Sequence, residues 1–374
     1  MKNKFCLLLL AAVLGASPVR AAEWEYGFSG SVSGLYGYSN VAEKFSAYNS
    51  HNHGVGDAEL EAYAKYIFDG EIEAGLYMDL MFGLNHELED YNQGKWGEEV
   101  YAIVDGPAGR LMAGQTFNAA YQFHVGAPEA GLLGPDNVDV VDFIRNPNWK
   151  RRGREAKFAT LNSTAINTDG VAAKLTYITP EFYNTMLGFS YVPDSYNRRG
   201  LVNKDAPYHN KEGYVFSAYN YLDLGFAEMT TSLGYAEFVD IDKEFSAGLS
   251  LSRGNWTLGG SWRKTYAEDG DVPLNRKVSD NTPEFFDGYR EGYAWDVGLG
   301  YEIGPYKASL SYFKSVAENS DNQDEIIAFS NRYQYNKYMD VYLTAAHVNF
   351  EGDTAAVADN NRGYAFVAGL SLNF

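Results

Sequence analysis

GYAFVAGLSLNF, residues 363–374, is the last stretch of the sequence. Its alternate residues Tyr364, Phe366, Ala368, Leu370, Leu372 and Phe374 are apolar. Between them lie Gly363, Ala365, Val367, Gly369, Ser371 and Asn373, which are mostly small or polar. Successive side chains of a strand point to opposite faces, so a period of two predicts a strand with one greasy, aromatic-ended face.

The same pattern recurs upstream. In 244–252, Phe245, Ala247, Leu249 and Leu251 oppose Glu244, Ser246, Gly248, Ser250 and Ser252. In 293–303, Tyr293, Trp295, Val297, Leu299, Tyr301 and Ile303 oppose Ala294, Asp296, Gly298, Gly300 and Glu302. In 57–68, Ala58, Leu60, Ala62, Ala64, Tyr66 and Phe68 share a face. Short connections (Asp69-Gly70, Gly106-Pro107-Ala108, Gly254-Asn255, Gly304-Pro305) alternate with long polar ones at 39–56, 85–95, 118–168, 194–211, 267–290, 317–325 and 351–362. Around 238–242 a short connection stands where a long one is expected. This segmentation gives about 16 strands, an even number with both ends on one side, as single-chain outer-membrane barrels require.

A soluble sandwich also alternates. Three features favour a membrane barrel. The polar faces carry Gly, Ser and charge, which suits a wet lumen. Aromatics such as Trp256, Tyr301 and Phe374 sit at strand ends, where rings with a polar tip settle at a bilayer interface. Short turns and long loops fall on opposite ends. Closure also removes the edge strands of an open sheet. In a closed barrel the final strand pairs with residues 25–38, turning Tyr26, Phe28, Val32 and Tyr36 outward with Gly30 and Gly34 between them.

Composition agrees. The 374 residues have low mean hydropathy, 16% aromatic residues and a formal charge of −19. No stretch beyond the N-terminus approaches the ~20 apolar residues of a spanning helix. Lys2, Lys4 and the apolar run Leu7–Leu14 read as an export signal over 1–21, cleaved after Val19-Arg20-Ala21. The mature chain, 22–374, then holds 27 basic and 49 acidic residues, a net of −22, and loses Cys6, the only cysteine. No disulfide framework remains. That charge argues against nucleic-acid partners.

On these residues the chain resembles the Gram-negative general diffusion porins. KLTYITPEFYNTMLGFSYVPD (174–194) is similar to a strand, T-P-x-F turn and following strand of that family. GRLMAGQTFNAAYQFHVGAP (109–128) is similar to the strand entering its pore-narrowing third loop, and Phe374 matches the terminal residue. The resemblance implies an all-β fold: a 16-stranded antiparallel transmembrane β-barrel with an infolded third loop, 118–168. It further implies a homotrimer in the outer membrane, surrounded by outer-membrane lipids, that passes ions and small hydrophilic solutes. Family members commonly carry Arg, part of a basic pore wall, where this chain has Gln115, which puts anion preference in doubt.

Within 118–168, Glu129, Asp136, Asp139 and Asp142 form an acidic series and Arg145, Lys150, Arg151, Arg152 and Arg154 a basic cluster. Charges across a narrow aqueous opening bias ion passage. Alternation turns Glu59, Glu61, Lys65, Lys174, Arg263 and Arg332 inward, and a register error of one residue would reverse each. The net charge predicts a mild cation preference. The rival readings are a substrate-specific channel for a sugar or carboxylate, favoured by an aromatic track in the pore, and a plugged structural barrel. An enzyme is disfavoured: none of His51, His53, His86, His124, His209 and His347 sits in a G-x-S-x-G frame. The His51-Asn52-His53 spacing is a weak metal signal, and no cofactor or metal is expected.

Overall fold

The structure, a computed structural model, describes residues 23–41, 51–68, 72–84, 99–134, 140, 143–152, 155–158, 160–195, 212–239, 242–267, 285–286, 291–318, 320–352 and 360–374. The predicted signal segment and cleavage site lie outside the described residues.

The strands are β1 (Glu23–Asn40), β2 (Asn52–Phe68), β3 (Ile72–Leu84), β4 (Glu99–Gly106), β5 (Gly109–Gln115), β6 (Trp149–Arg152), β7 (Glu155–Phe158), β8 (Ala173–Ile178), β9 (Thr185–Val192), β10 (Gly213–Asp223), β11 (Glu228–Phe238), β12 (Asp242–Arg253), β13 (Trp256–Ala267), β14 (Phe285–Phe286), β15 (Gly292–Ile303), β16 (Tyr306–Ala317), β17 (Gln323–Asn336), β18 (Met339–Glu351) and β19 (Asn361–Asn373). Sixteen of them close an antiparallel barrel, while β6, β7 and β14 form a separate small sheet. The barrel closes where the alternation of 363–374 requires. Ser31 to Asn40 pair with Asn373 to Tyr364, and Phe374 exchanges backbone hydrogen bonds of 3.0 and 3.1 Å with Gly30.

Register and burial give every strand one lipid-side and one inner face. On β19, Tyr364, Phe366, Leu370, Leu372 and Phe374 are exposed, whereas Ala365, Val367 and Ser371 are buried. Outward rings gather near the turn end: Trp24 packs edge-on against Tyr66 at 5.1 Å, and Trp256 lies 4.6 Å from Tyr301. Toward the loop end, outward Lys314 pairs with Glu325 at 2.7 Å. Tyr306 and Lys314 are eight residues apart on β16, about 27 Å of strand and about 20 Å of membrane normal at a ~40° tilt, close to the ~25 Å apolar band of such barrels.

The inner face is less uniformly polar than the sequence pattern suggests. Phe313, Ile326, Val348 and Phe350 point inward and form a buried cluster with Leu133, Val140, Phe143, Ile144 and Leu161 of the long β5–β8 connection. The wedge exists because that connection folds against the inner wall and needs an apolar seat there.

Candidate functional site in the barrel lumen

The segment between β5 and β8 is hydrogen-bonded along the inner wall. Its outbound limb starts with a helical turn, α1 (Ala119–Gln122), capped by the Asn118 side chain, which accepts from the Tyr121 N–H at 2.9 Å. It continues past β11, where Val125 N–H donates to Ser232 Oγ at 3.1 Å. Ala127 N–H then donates to Asp296 Oδ1 on β15, and Ala130 N–H to Ser309 Oγ on β16, both at 2.9 Å. The return limb is tied by Asn148 to Asp324 at 2.7 Å, by Leu161 N–H to Ser315 Oγ at 2.9 Å and by Thr164 to Asp296 at 2.8 Å. Short Ser and Asp side chains on the inward positions thus satisfy backbone donors that would otherwise be stranded. Close approach needs glycine at Gly248, where a methyl group would meet the Val125 carbonyl oxygen at 1.8 Å.

Register puts Glu59, Glu61, Lys65, Lys174, Arg263 and Arg332 on the inner face, but their surroundings differ. Arg263 is 1% exposed. Its guanidinium pairs with Glu244 at 2.5 Å and donates to Ala165 O at 2.6 Å, Asn167 Oδ1 at 2.9 Å and Thr168 Oγ1 at 2.9 Å. Lys174 is sealed as well: it pairs with Asp169 at 3.1 Å, donates to Gly170 O at 2.8 Å and bonds Thr116 O. Asn118 completes that knot through Asp169 Oδ1 at 2.6 Å. These two cations clamp the infolded segment and present no charge to lumenal water. Lys65 bridges Glu25 at 3.3 Å and Glu73 at 3.0 Å, and Arg332 pairs with Asp340 at 2.9 Å near the turn end.

On the segment itself, Glu129 is exposed. Arg145 is half-buried, its carbonyl accepting from Asn361 at 2.7 Å. Asp136, Asp139, Asp142 and Arg154 lie outside the described residues. Lys150, Arg151 and Arg152 fall on β6, which pairs with β7 and stands apart from the barrel sheet. Gln115 pairs with Val100 and Ala173, positions of the outward face. The His51 ring sits 3.0 Å from the Ser39 carbonyl and stacks on Tyr38, and His53 stands edge-on to Phe143. Among the described residues no group of three or more His, Cys, Asp or Glu side chains is placed to hold a metal ion.

The wall from β1 to β5 holds what sequence reasoning only half found. Glu61 pairs across to Asp79, and Asp79 to Glu99, so three carboxylates stand directly opposite one another on adjacent strands. Two residues toward the turn end, Tyr63, Tyr77 and Tyr101 form a second row, with ring centroids 5.7 and 5.5 Å apart and planes within 20° and 7° of parallel. Like charges directly opposed weaken a sheet. Among the described residues no Lys or Arg forms an ion pair with Glu59, Glu61, Asp79 or Glu99. Their bonded neighbours include Ser29, which donates to Glu61 at 3.0 Å, and Phe117 N–H, which donates to Glu99 at 2.9 Å. The alternation that turned Glu59 and Glu61 inward, applied to 72–84 and 99–106 with the turn registers, would have revealed both rows.

The barrel also has relatives of known structure. It superposes on the anion-selective porin from Comamonas acidovorans with a TM-score of 0.57 at 13% identity, covering 94% of this chain and 100% of that one. The trimer form of the outer membrane protein OmpT from Vibrio cholerae gives 0.59 at 11% identity, covering 94% and 99%. A mutant of the Rh. blastica porin gives 0.54 at 10%, covering 94% and 100%. At these identities the likeness establishes the fold. No curated protein matches the chain. The model of the Gram-negative porin family matches residues 8–353. That match spans nearly the whole chain and meets a closed 16-stranded barrel, so the protein belongs to the Gram-negative porin family of outer-membrane channels.

Proposed function

We propose that this porin is a general diffusion channel for ions and small hydrophilic solutes with a cation preference, and that the preference arises on the barrel wall. The observation that carries this reading is the row Glu61–Asp79–Glu99, inward-facing and without a cationic partner among the described residues, while the inward cations Lys174 and Arg263 are sealed under the infolded segment. Charges in a confined aqueous passage with low-dielectric walls act strongly on passing ions. Glu129, exposed on the segment opposite, adds to the same sign. In this reading 118–168 is the constriction, and Asp136, Asp139, Asp142 and the Arg145–Arg154 cluster modulate it. The chain acts as a homotrimer among outer-membrane lipids after loss of residues 1–21, and carries out no catalysis. Reversal potentials across a KCl gradient in planar bilayers test the preference: a positive shift toward the potassium potential is expected, and clear anion selectivity would overturn it.

The tyrosine row favours a second reading, a channel selective for one class of solute. Liposome swelling separates the two. Uptake graded only by sugar size supports general diffusion, and a steep preference for one sugar supports the specific channel.

A further inference from the structure

We propose that the carboxylate row and the tyrosine row together form a lumenal subsite for organic cations, an ammonium or guanidinium carried on an apolar or aromatic body. This deepens the cation-preferring reading and rests on it. The rows occupy successive inward positions on the same three strands, so they stand about 7 Å apart along the strand direction. A small inorganic ion uses the carboxylates alone. A cation with an apolar body reaches both rows at once, its charge among Glu61, Asp79 and Glu99 and its body on the rings.

The rings are disposed for that contact. Tyr63 lies flat over Gly27 of β1, where a methyl group would meet the ring at 2.8 Å, and its hydroxyl donates to Glu25 at 3.1 Å. Tyr77 and Tyr101 repeat the same tilt. Parallel rings in contact at this centroid spacing are offset like roof tiles, and each leaves part of its face open to the lumen. Cations bind aromatic faces, and the attraction grows as water is excluded. At the far end the row meets the infolded segment, where Tyr101 packs on the cluster of Met112, Phe123 and Ile178. The rings thus run from β2 to the segment's own Phe123. Among the described residues, the cations around this surface are paired elsewhere: Lys65 to Glu25 and Glu73, Arg110 to Asp105, and Lys174 to Asp169.

The test uses the purified channel in planar bilayers in KCl, with tetramethylammonium and phenyltrimethylammonium as probes of equal charge. Both should reduce the potassium current, and the aromatic probe should bind roughly two- to tenfold tighter, the range of an added contact between its ring and a tyrosine ring. Tyr77→Leu should abolish that ratio, Tyr77→Phe should preserve it, and Asp79→Asn should weaken both probes equally. Equal affinity of the two probes for the unmodified channel would overturn the subsite, and so would a ratio unchanged in Tyr77→Leu or lost in Tyr77→Phe. Each variant is first checked for folded electrophoretic mobility. The KCl reversal potential, measured on the same membranes, reports separately on the underlying preference. A cation-selective channel with equal probe affinities sinks only the subsite.

Discussion

Arg263 lies inside the barrel, yet almost none of its surface meets solvent. Replacing it with Met removes one guanidinium and leaves Glu244, itself fully buried, without its ion-pair partner. The return limb of the infolded segment loses four contacts in the same step, at Ser163, Ala165, Asn167 and Thr168. Hydrogen bonds to a charged group contribute about 1.5–3 kcal/mol each, and breaking a buried pair from one side costs about 3–5 kcal/mol. These figures overlap, because the stranded carboxylate dominates both. The expected loss for Arg263→Met is therefore about 4 kcal/mol. Pairing it with Glu244→Gln removes the uncompensated charge and should restore about half of that loss. Urea-induced loss of folded mobility in detergent micelles measures both values. Single-channel recordings supply a second readout, with conductance noise rising in the single variant as residues 163–168 come away from the wall. Equal destabilisation of the single and double variants would refute the clamp, since the stranded charge is what distinguishes them.

Other parts of the molecule give sharper or simpler tests. A carboxylate about 8 Å from a passing ion contributes about 0.5 kcal/mol in water, reduced to about 0.2 by screening near 0.1 M salt. Asp79→Asn should therefore lower the K⁺/Cl⁻ permeability ratio about twofold, more at low salt, and an unchanged reversal potential would count against the wall as its source. Leu310→Arg, on the outward face of β16 away from both rims, should cost about 2–4 kcal/mol of folding stability in lipid, measured by urea titration in vesicles. Gly248→Ala pushes the Val125 carbonyl off the wall and should cost about 1–3 kcal/mol by the same assay. Within the β8–β9 connection, Phe182 and Thr185 pair with mutual backbone hydrogen bonds of 2.9 Å and close a two-residue turn that holds Tyr183 and Asn184 at φ of 50° and 58°. Hairpin turns of this hand prefer Asn-Gly, so Tyr183→Asn with Asn184→Gly should add up to about 1 kcal/mol in urea melts.

Much of this fold is legible because lipid imposes a simple rule. A strand touching hydrocarbon must be apolar at every second position, and Tyr364, Phe366, Leu370 and Leu372 obey it without interruption. The connection lengths then set strand number and direction, down to the short link near 238–242. The same parity turned Glu59, Glu61, Lys65, Lys174, Arg263 and Arg332 inward, where register places them. Parity does not reveal what covers an inward residue. Lys174 and Arg263 follow the same alternation as Glu61, yet two limbs of a distant segment close over them.

That difference bears on how the channel acquires its charge. The infolded segment runs along β8 to β19 and reaches β1 and β2 through Phe143, and its knots consume the acidic wall residues Glu244, Asp296 and Asp324 as well as the basic Lys174 and Arg263. Neutralisation is thus concentrated where the segment lies. On β2, β3 and β4, Glu59, Glu61, Asp79 and Glu99 form no ion pair with Lys or Arg among the described residues, so an overall excess of acid becomes a one-sided field. Composition alone sets only the sign of that field. The path of one connection decides which wall displays it, and a segment rerouted to cover Asp79 would leave the net charge intact while removing the field a passing ion meets.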